Sequence, residues 1–180
     1  MSETFQDVVD FWRTAGPARW FAKDDAFDAE FRERFFDKYH QAAQHELTAW
    51  ADTPEGALAL VLLLDQFPRN CFRGDADAFA TDALARAIAD RAIAAGFDRA
   101  VDAGLRLFFY LPLEHSENIA DQQRAVALCR ELGDADYLKY AGMHCDVIAR
   151  FGRFPHRNAV LGRDTTPEEQ AFLDTGGFAG

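Results

Sequence analysis

The stretch Ala57-Leu58-Ala59-Leu60-Val61-Leu62-Leu63-Leu64 carries no polar side chain, and it constrains the fold more than any other part of the chain. It follows Thr53-Pro54-Glu55, which reads as a helix N-cap with proline in the first turn. A helix with no polar face must be covered on all sides. The run is far shorter than the roughly 20 residues that cross a bilayer, so the cover must come from the rest of the chain.

The flanking segments are periodic enough to supply it. Phe5, Val8, Val9 and Trp12 follow helical spacing and stop at Gly16-Pro17. Asp24 or Asp25 can cap a second helix with Phe27, Phe31, Phe35 and Tyr39 on one face, extended by Leu47 and Trp50. After the buried third helix, Pro68 and Gly74 are expected to break the chain. The fourth helix places Ala76, Phe79, Ala80, Ala83, Leu84, Ala87 and Ile88 on its stripe and ends at Gly96. A fifth carries Val101, Leu105, Phe108 and Phe109 and must stop before Pro112. A sixth starts near Ser116 or Asn118, packs Ile119, Val126, Cys129 and Leu132, and stops at Gly133. The seventh, from about Asp136, aligns Tyr137, Ala141, His144, Ile148 and Phe151 and ends at Gly152. Thr166-Pro167-Glu168-Glu169 is a capping box that opens a last short helix. No segment sustains the alternation of a strand. The expected fold class is all-α, about eight antiparallel helices in one domain spanning residues 1–180.

Composition narrows the function classes. With 49% hydrophobic residues the chain has ample material for a core, and its net charge of -11 argues against nucleic acid or an anionic membrane as partner. Cys71, Cys129 and Cys145 are odd in number and lack paired spacing, so reduced thiols in the cytoplasm are expected rather than a disulfide framework. The acidic start, Met1-Ser2-Glu3-Thr4, does not read as a secretory signal.

Three polar knots interrupt the helical pattern. They are Asp65-Gln66-Phe67-Pro68-Arg69-Asn70, then Glu114-His115-Ser116-Glu117, then Arg150 to Asn158 running on through Leu161-Gly162-Arg163. If short connections make successive helices antiparallel, the loops after helices one, three, five and seven share one end and bring the knots together. Together with Leu111-Pro112-Leu113 and Gln122, these motifs resemble the bacterial domain-of-unknown-function 924 family over nearly the whole chain. The resemblance implies an all-α fold with tetratricopeptide-repeat-like stacking of helix pairs. It implies no reaction.

The residues themselves suggest a site for a small anion. Arg69, Arg73, Arg153, Arg157 and Arg163 can grip phosphate or carboxylate through their guanidinium forks. Asp65, Asn70, His156 and Asn158 then complete a ligand-binding set with Arg69, Arg73, Arg153 and Arg157, and His115 with Glu117 is the pair suited to proton transfer. A structural alternative stands beside it, in which Asp65, Glu114 and Glu117 pair with the arginines and lock the loops.

His115, Glu117, His144 and His156 are types that bind metals, but reflection about the turn between helices six and seven places His144 opposite about Ala125, away from the knot. No metal ligand is assigned, and no cofactor follows from the sequence. Cys71 beside Arg73 is a weaker nucleophile candidate. The expected partners are a small anionic molecule or a protein, including a second copy of the chain. The rival to ligand binding is a protein-interaction scaffold whose arginine motifs are purely structural.

Overall fold

The computed structural model describes residues 3–178, and among them every regular element is helical. By the clustering of its contacts the chain divides into two compact units, Met1–Pro112 and Leu113–Gly180.

In the first unit, α1 (Phe5–Ala15) begins with a capping box between Thr4 and Asp7 and buries Val8, Val9, Phe11 and Trp12. Gly16-Pro17 ends it and starts the one-turn α2 (Pro17–Trp20). Asp24 caps α3 (Asp25–Ala43), whose Phe27, Phe31, Phe35 and Tyr39 are buried as the spacing predicts. Phe11 stacks on Phe27 at 5.1 Å between ring centres, and Trp12 lies 5.3 Å from Phe31. The second helix stops short of the expected Leu47 and Trp50 because His45 takes a left-handed backbone, φ 62°, and a 3-10 turn, Thr48–Asp52, follows.

Thr53 caps α4 (Pro54–Val61) through a bond from the Gly56 N–H. All side chains from Ala57 to Leu64 are buried, as a helix without a polar face requires. Each buried leucine contributes about 1.5–3 kcal/mol over an exposed one. Gly56 is required here, since a Cβ would lie 2.2 Å from the Trp50 carbonyl oxygen.

Pro68 does not break the chain. The helix widens into a π turn, Leu62–Gln66, and α5 (Phe67–Cys71) continues with Pro68 in its first turn, where a missing N–H matters little. Two carbonyls in this stretch find side-chain donors: Thr81 Oγ donates to Leu64 O at 2.6 Å and Arg69 to Asp65 O at 3.0 Å.

The fourth predicted helix is divided and turned. A 3-10 turn, Ala76–Phe79, precedes α6 (Asp82–Ala94), and the buried face is Ala85, Ala89 and Ala92, not the stripe of Ala83, Leu84, Ala87 and Ile88. Alanine occupies both faces of this helix, so periodicity alone favours neither. The face of small side chains is the one that packs against α4. The predicted fifth helix is a 3-10 segment, Ala103–Phe109, and α7 (Leu111–Glu114) follows it.

The second unit is built on a helical hairpin. Asn118 caps α8 (Ile119–Leu132), Gly133 closes it in a left-handed conformation, and Asp134 caps α9 (Ala135–Phe151). Gln122, Ala125 and Cys129 are buried on α8, whereas Ile119 is exposed. Val147, Ile148 and Phe154 form the centre of an apolar cluster that also packs Phe151, Phe172 and Phe178. The capping box of Thr166 and Glu169 opens α10 (Pro167–Asp174).

Candidate functional site

In the first unit the polar knot is closed by carboxylates. Arg69 grips Asp82 with two bonds, 2.7 and 3.0 Å, and reaches Asp65 Oδ1 at 3.3 Å. Asp65 is fully buried and also accepts from Gln66 Nε2 at 2.7 Å. Arg73 donates to both oxygens of Asp28 at 2.9 and 3.4 Å, and Asn70 Nδ2 donates to the same carboxylate at 2.7 Å.

These bonds bring Asp65 to Arg69, and Asn70 to Arg73 through Asp28. Sequence reasoning missed Asp28 and Asp82; Asp28 stands among the phenylalanines of α3, and only its burial distinguishes it from an ordinary surface acid. The thiolate of Cys71 is disfavoured in this setting. Burial, then the neighbouring Asp28, pushes its thiol up to about 12. Two open hollows in this unit, of about 450 and 270 Å³, are lined by residues of α1, α2 and α3 and include none of Asp65, Arg69, Asn70 or Arg73.

In the second unit Glu117 accepts from Arg163 at 2.8 and 3.0 Å and from the Phe154 N–H at 2.8 Å. These bonds hold its carboxyl below the usual range against the opposing effect of burial. Arg153 grips Glu169 with bonds of 2.6 and 2.8 Å, and the pairing with Arg153 drives the Glu169 carboxyl down to about 2. Asn158, fully buried, accepts from Arg163 Nε at 3.0 Å and donates to Glu169 at 3.2 Å. It thereby ties the two ion pairs into one lattice. Glu169 was legible in the sequence as a capping residue; its second use as the partner of Arg153 was not.

Beside this lattice the imidazoles gather. The rings of His115 and His144 are 6.1 Å apart, His144 lies 5.8 Å from Phe154, and His156 lies 5.5 Å from the same ring. The Arg157 guanidinium is 4.5 Å from the centre of the Phe154 ring, with Nη1 donating to the His115 carbonyl at 3.1 Å. His144 Nδ1 is 2.8 Å from Tyr140 O and 3.6 Å from Glu114 Oε2. Burial is the main cause that holds His144 and His156 down to about 4, and neighbouring cationic groups add to it. Both imidazoles are neutral at pH 7.

The expectation that His144 lies away from the knot is thus overturned. The end of α7 folds back along α8: Gln122 Nε2 donates to the Glu114 and Ser116 carbonyls, and the Cys129 thiol to the Glu114 carboxylate. That return carries Glu114 and His115 to the level of His144. Among the described residues, no group of three His, Cys, Asp or Glu side chains is placed to hold a metal ion, and no helix is long and apolar enough to cross a membrane.

Comparison with known proteins agrees with the resemblance drawn from the motifs. A solved structure of a protein of unknown function from Agrobacterium tumefaciens is 56% identical, covering 96% of this chain and 97% of that one with a TM-score of 0.93. No curated protein matches the chain. The family model described as bacterial protein of unknown function, DUF924, matches residues 8–177, and the chain belongs to that family.

Proposed function

We propose that this protein is an interaction module with tetratricopeptide-like stacking of its helix pairs, in which the arginine motifs brace the loops. The observation that carries the reading is the closure of Arg69, Arg73, Arg153 and Arg163 onto carboxylates of their own units. A guanidinium already held by a two-bond carboxylate must break that pair to bind a ligand anion, which costs about what the new pair returns. The contact surface in this reading includes α9, where Tyr140 and Met143 stand one helical turn apart and are 52% and 38% exposed.

A photo-crosslinking side chain at position 140 tests it. A discrete protein captured there, in extract of the cells that make the chain, and not captured from exposed position 139, supports the reading. Capture of nothing, or the same pattern from both positions, counts against it.

A second reading is favoured by the imidazole cluster. His144, His156 and Arg157 lie against Phe154 and His115 lies beside His144, and a small phosphate- or carboxylate-bearing ligand bound among them would have His115 as its proton-transfer group. Glu117 then acts as the anchor of Arg163 and Phe154 rather than as an acid. Such a ligand raises the melting temperature by mass action.

A further inference from the structure

The chain beyond α10 places an aromatic ring in the histidine cluster. Gly176 takes a left-handed turn at φ 76° and the Gly177 N–H bonds back to Phe172 O at 2.9 Å. A Cβ on Gly177 would lie 2.5 Å from that same oxygen, so this tight reversal needs the second glycine. It delivers Phe178 onto His144, with ring centres 4.3 Å apart, and beside His156 and Phe154 at 5.8 and 6.4 Å. The Phe178 backbone also lies beside the His156 ring. The floor of the slot is Phe154, which is fully buried, with Val147 and Ile148 in the same cluster.

The slot therefore reads two features at once: a flat apolar ring, and a backbone polar group one residue's reach from it. That combination describes an aromatic residue within a peptide. A hydrocarbon lacks the backbone group, and an inorganic anion lacks the ring. Phe178 is tethered through two glycines, the residues with the most backbone freedom to lose on docking.

We propose that this slot is a recognition site for an aromatic side chain of a peptide partner, and that Phe178 is its intramolecular competitor. A tethered occupant acts at an effective concentration in the millimolar range for a short flexible linker, so a partner peptide binds in proportion to the time the strap is undocked. The slot supplies the interaction reading with a partner chemistry, yet its test is separate from the one at α9.

The probe is the acetylated, amidated tetrapeptide Thr-Gly-Gly-Phe, which repeats the strap's own sequence, titrated into the full chain and into Phe178→Ala. Binding is followed by calorimetry and by the ring resonances of His144 and His156. The expected result is saturable binding to Phe178→Ala that shifts both imidazoles, at least about ten-fold weaker binding to the wild-type chain, and none by Thr-Gly-Gly-Ala.

Equal affinity for both proteins, equal affinity of both peptides, or no binding to a Phe178→Ala variant of unchanged helix content overturns the proposal. If that variant does not fold, the wild-type chain decides alone: Thr-Gly-Gly-Phe at millimolar concentration must displace Phe178 and shift both imidazoles while Thr-Gly-Gly-Ala does not, and no shift, or the same shift by both peptides, overturns the proposal. A peptide that binds while position 140 captures nothing leaves the slot standing and removes only the α9 surface.

Discussion

Arg163 and Glu117, 46 residues apart in sequence, meet through two bonds of 2.8 and 3.0 Å, and the same carboxylate accepts the backbone N–H of Phe154. One acid thus fixes both an arginine side chain and the loop that carries the phenylalanine at the centre of the second unit's apolar cluster. Arg163 is tied as widely, for it also donates to Asn158 Oδ1 and to the Phe154 carbonyl, each at 3.0 Å. Glu117→Ala strips partners from Arg163 and from the Phe154 N–H, and Arg163→Ala strips donors from Glu117, Asn158 and the Phe154 carbonyl; each is expected to cost about 2–3 kcal/mol. Urea unfolding of both single variants and the double variant measures the coupling; a single variant within about 0.5 kcal/mol of the wild type, as at an ordinary surface position, contradicts this account.

Gly56 faces the carbonyl of Trp50 so closely that a methyl group has no room. Gly56→Ala is expected to destabilise by about 3 kcal/mol, at the upper end of overpacking costs, because the obstacle is backbone that cannot rotate away. The gain in helix propensity from alanine, about 1 kcal/mol, does not offset it. Thermal unfolding decides the sign.

His45 holds a left-handed backbone at the end of α3. Its neighbours close the helix in the usual glycine-ended way, with the Glu46 N–H bonded to Gln41 O and the His45 N–H to Ala42 O. His45→Gly is expected to stabilise the protein by about 1 kcal/mol, since glycine adopts this conformation without a Cβ penalty. A lower melting temperature in the variant would show that the His45 side chain contributes something the backbone does not reveal.

Stability should decline with acid in two stages. His144 and His156 titrate near 4 in the folded chain against 6.5 when unfolded. The folded state then binds fewer protons between those values, and stability that is complete above pH 6.5 is lost as pH falls through that window. Glu169, held down to about 2 against 4.5 by Arg153, extends the loss from pH 4.5 downward. Denaturant unfolding between pH 7.5 and 4.5 should show a slope approaching two protons in the wild type and about one in His144→Gln. A flat profile across that range would contradict the burial of both imidazoles.

How far the sequence was legible varied by element for physical reasons. The α4 core was readable because a run with no polar side chain admits only one environment. The caps at Thr53 and Thr166 were likewise local; Asn118 was one of two expected starts, and Asp134 caps its helix two residues before the expected start at Asp136. The face of α6 was not, because alanines at both Ala83 and Ala85 give a stripe no contrast, and packing against α4 chose between them. Pro68 misled because the π turn before it changes which carbonyls need donors, a property of the backbone that side-chain spacing does not record.

The arginines were recognised as unusual, but their partners lie far along the chain, Asp28 being 45 residues from Arg73 and Glu169 being 16 from Arg153. No local spacing links them. His144 was misplaced for the same reason: the return of α7 along α8 is a tertiary event.

The account turns on the arginines being braces. Its most direct test is thermal unfolding of the wild type, Arg69→Ala and Arg163→Ala, each alone and with a panel of phosphorylated and carboxylated compounds. The account predicts that both variants melt lower without any additive and that no compound raises the wild-type melting temperature specifically. A compound that raises the wild-type value, and loses that effect in a variant whose own melting temperature and helix content are unchanged, would contradict it and establish an arginine site for an anion.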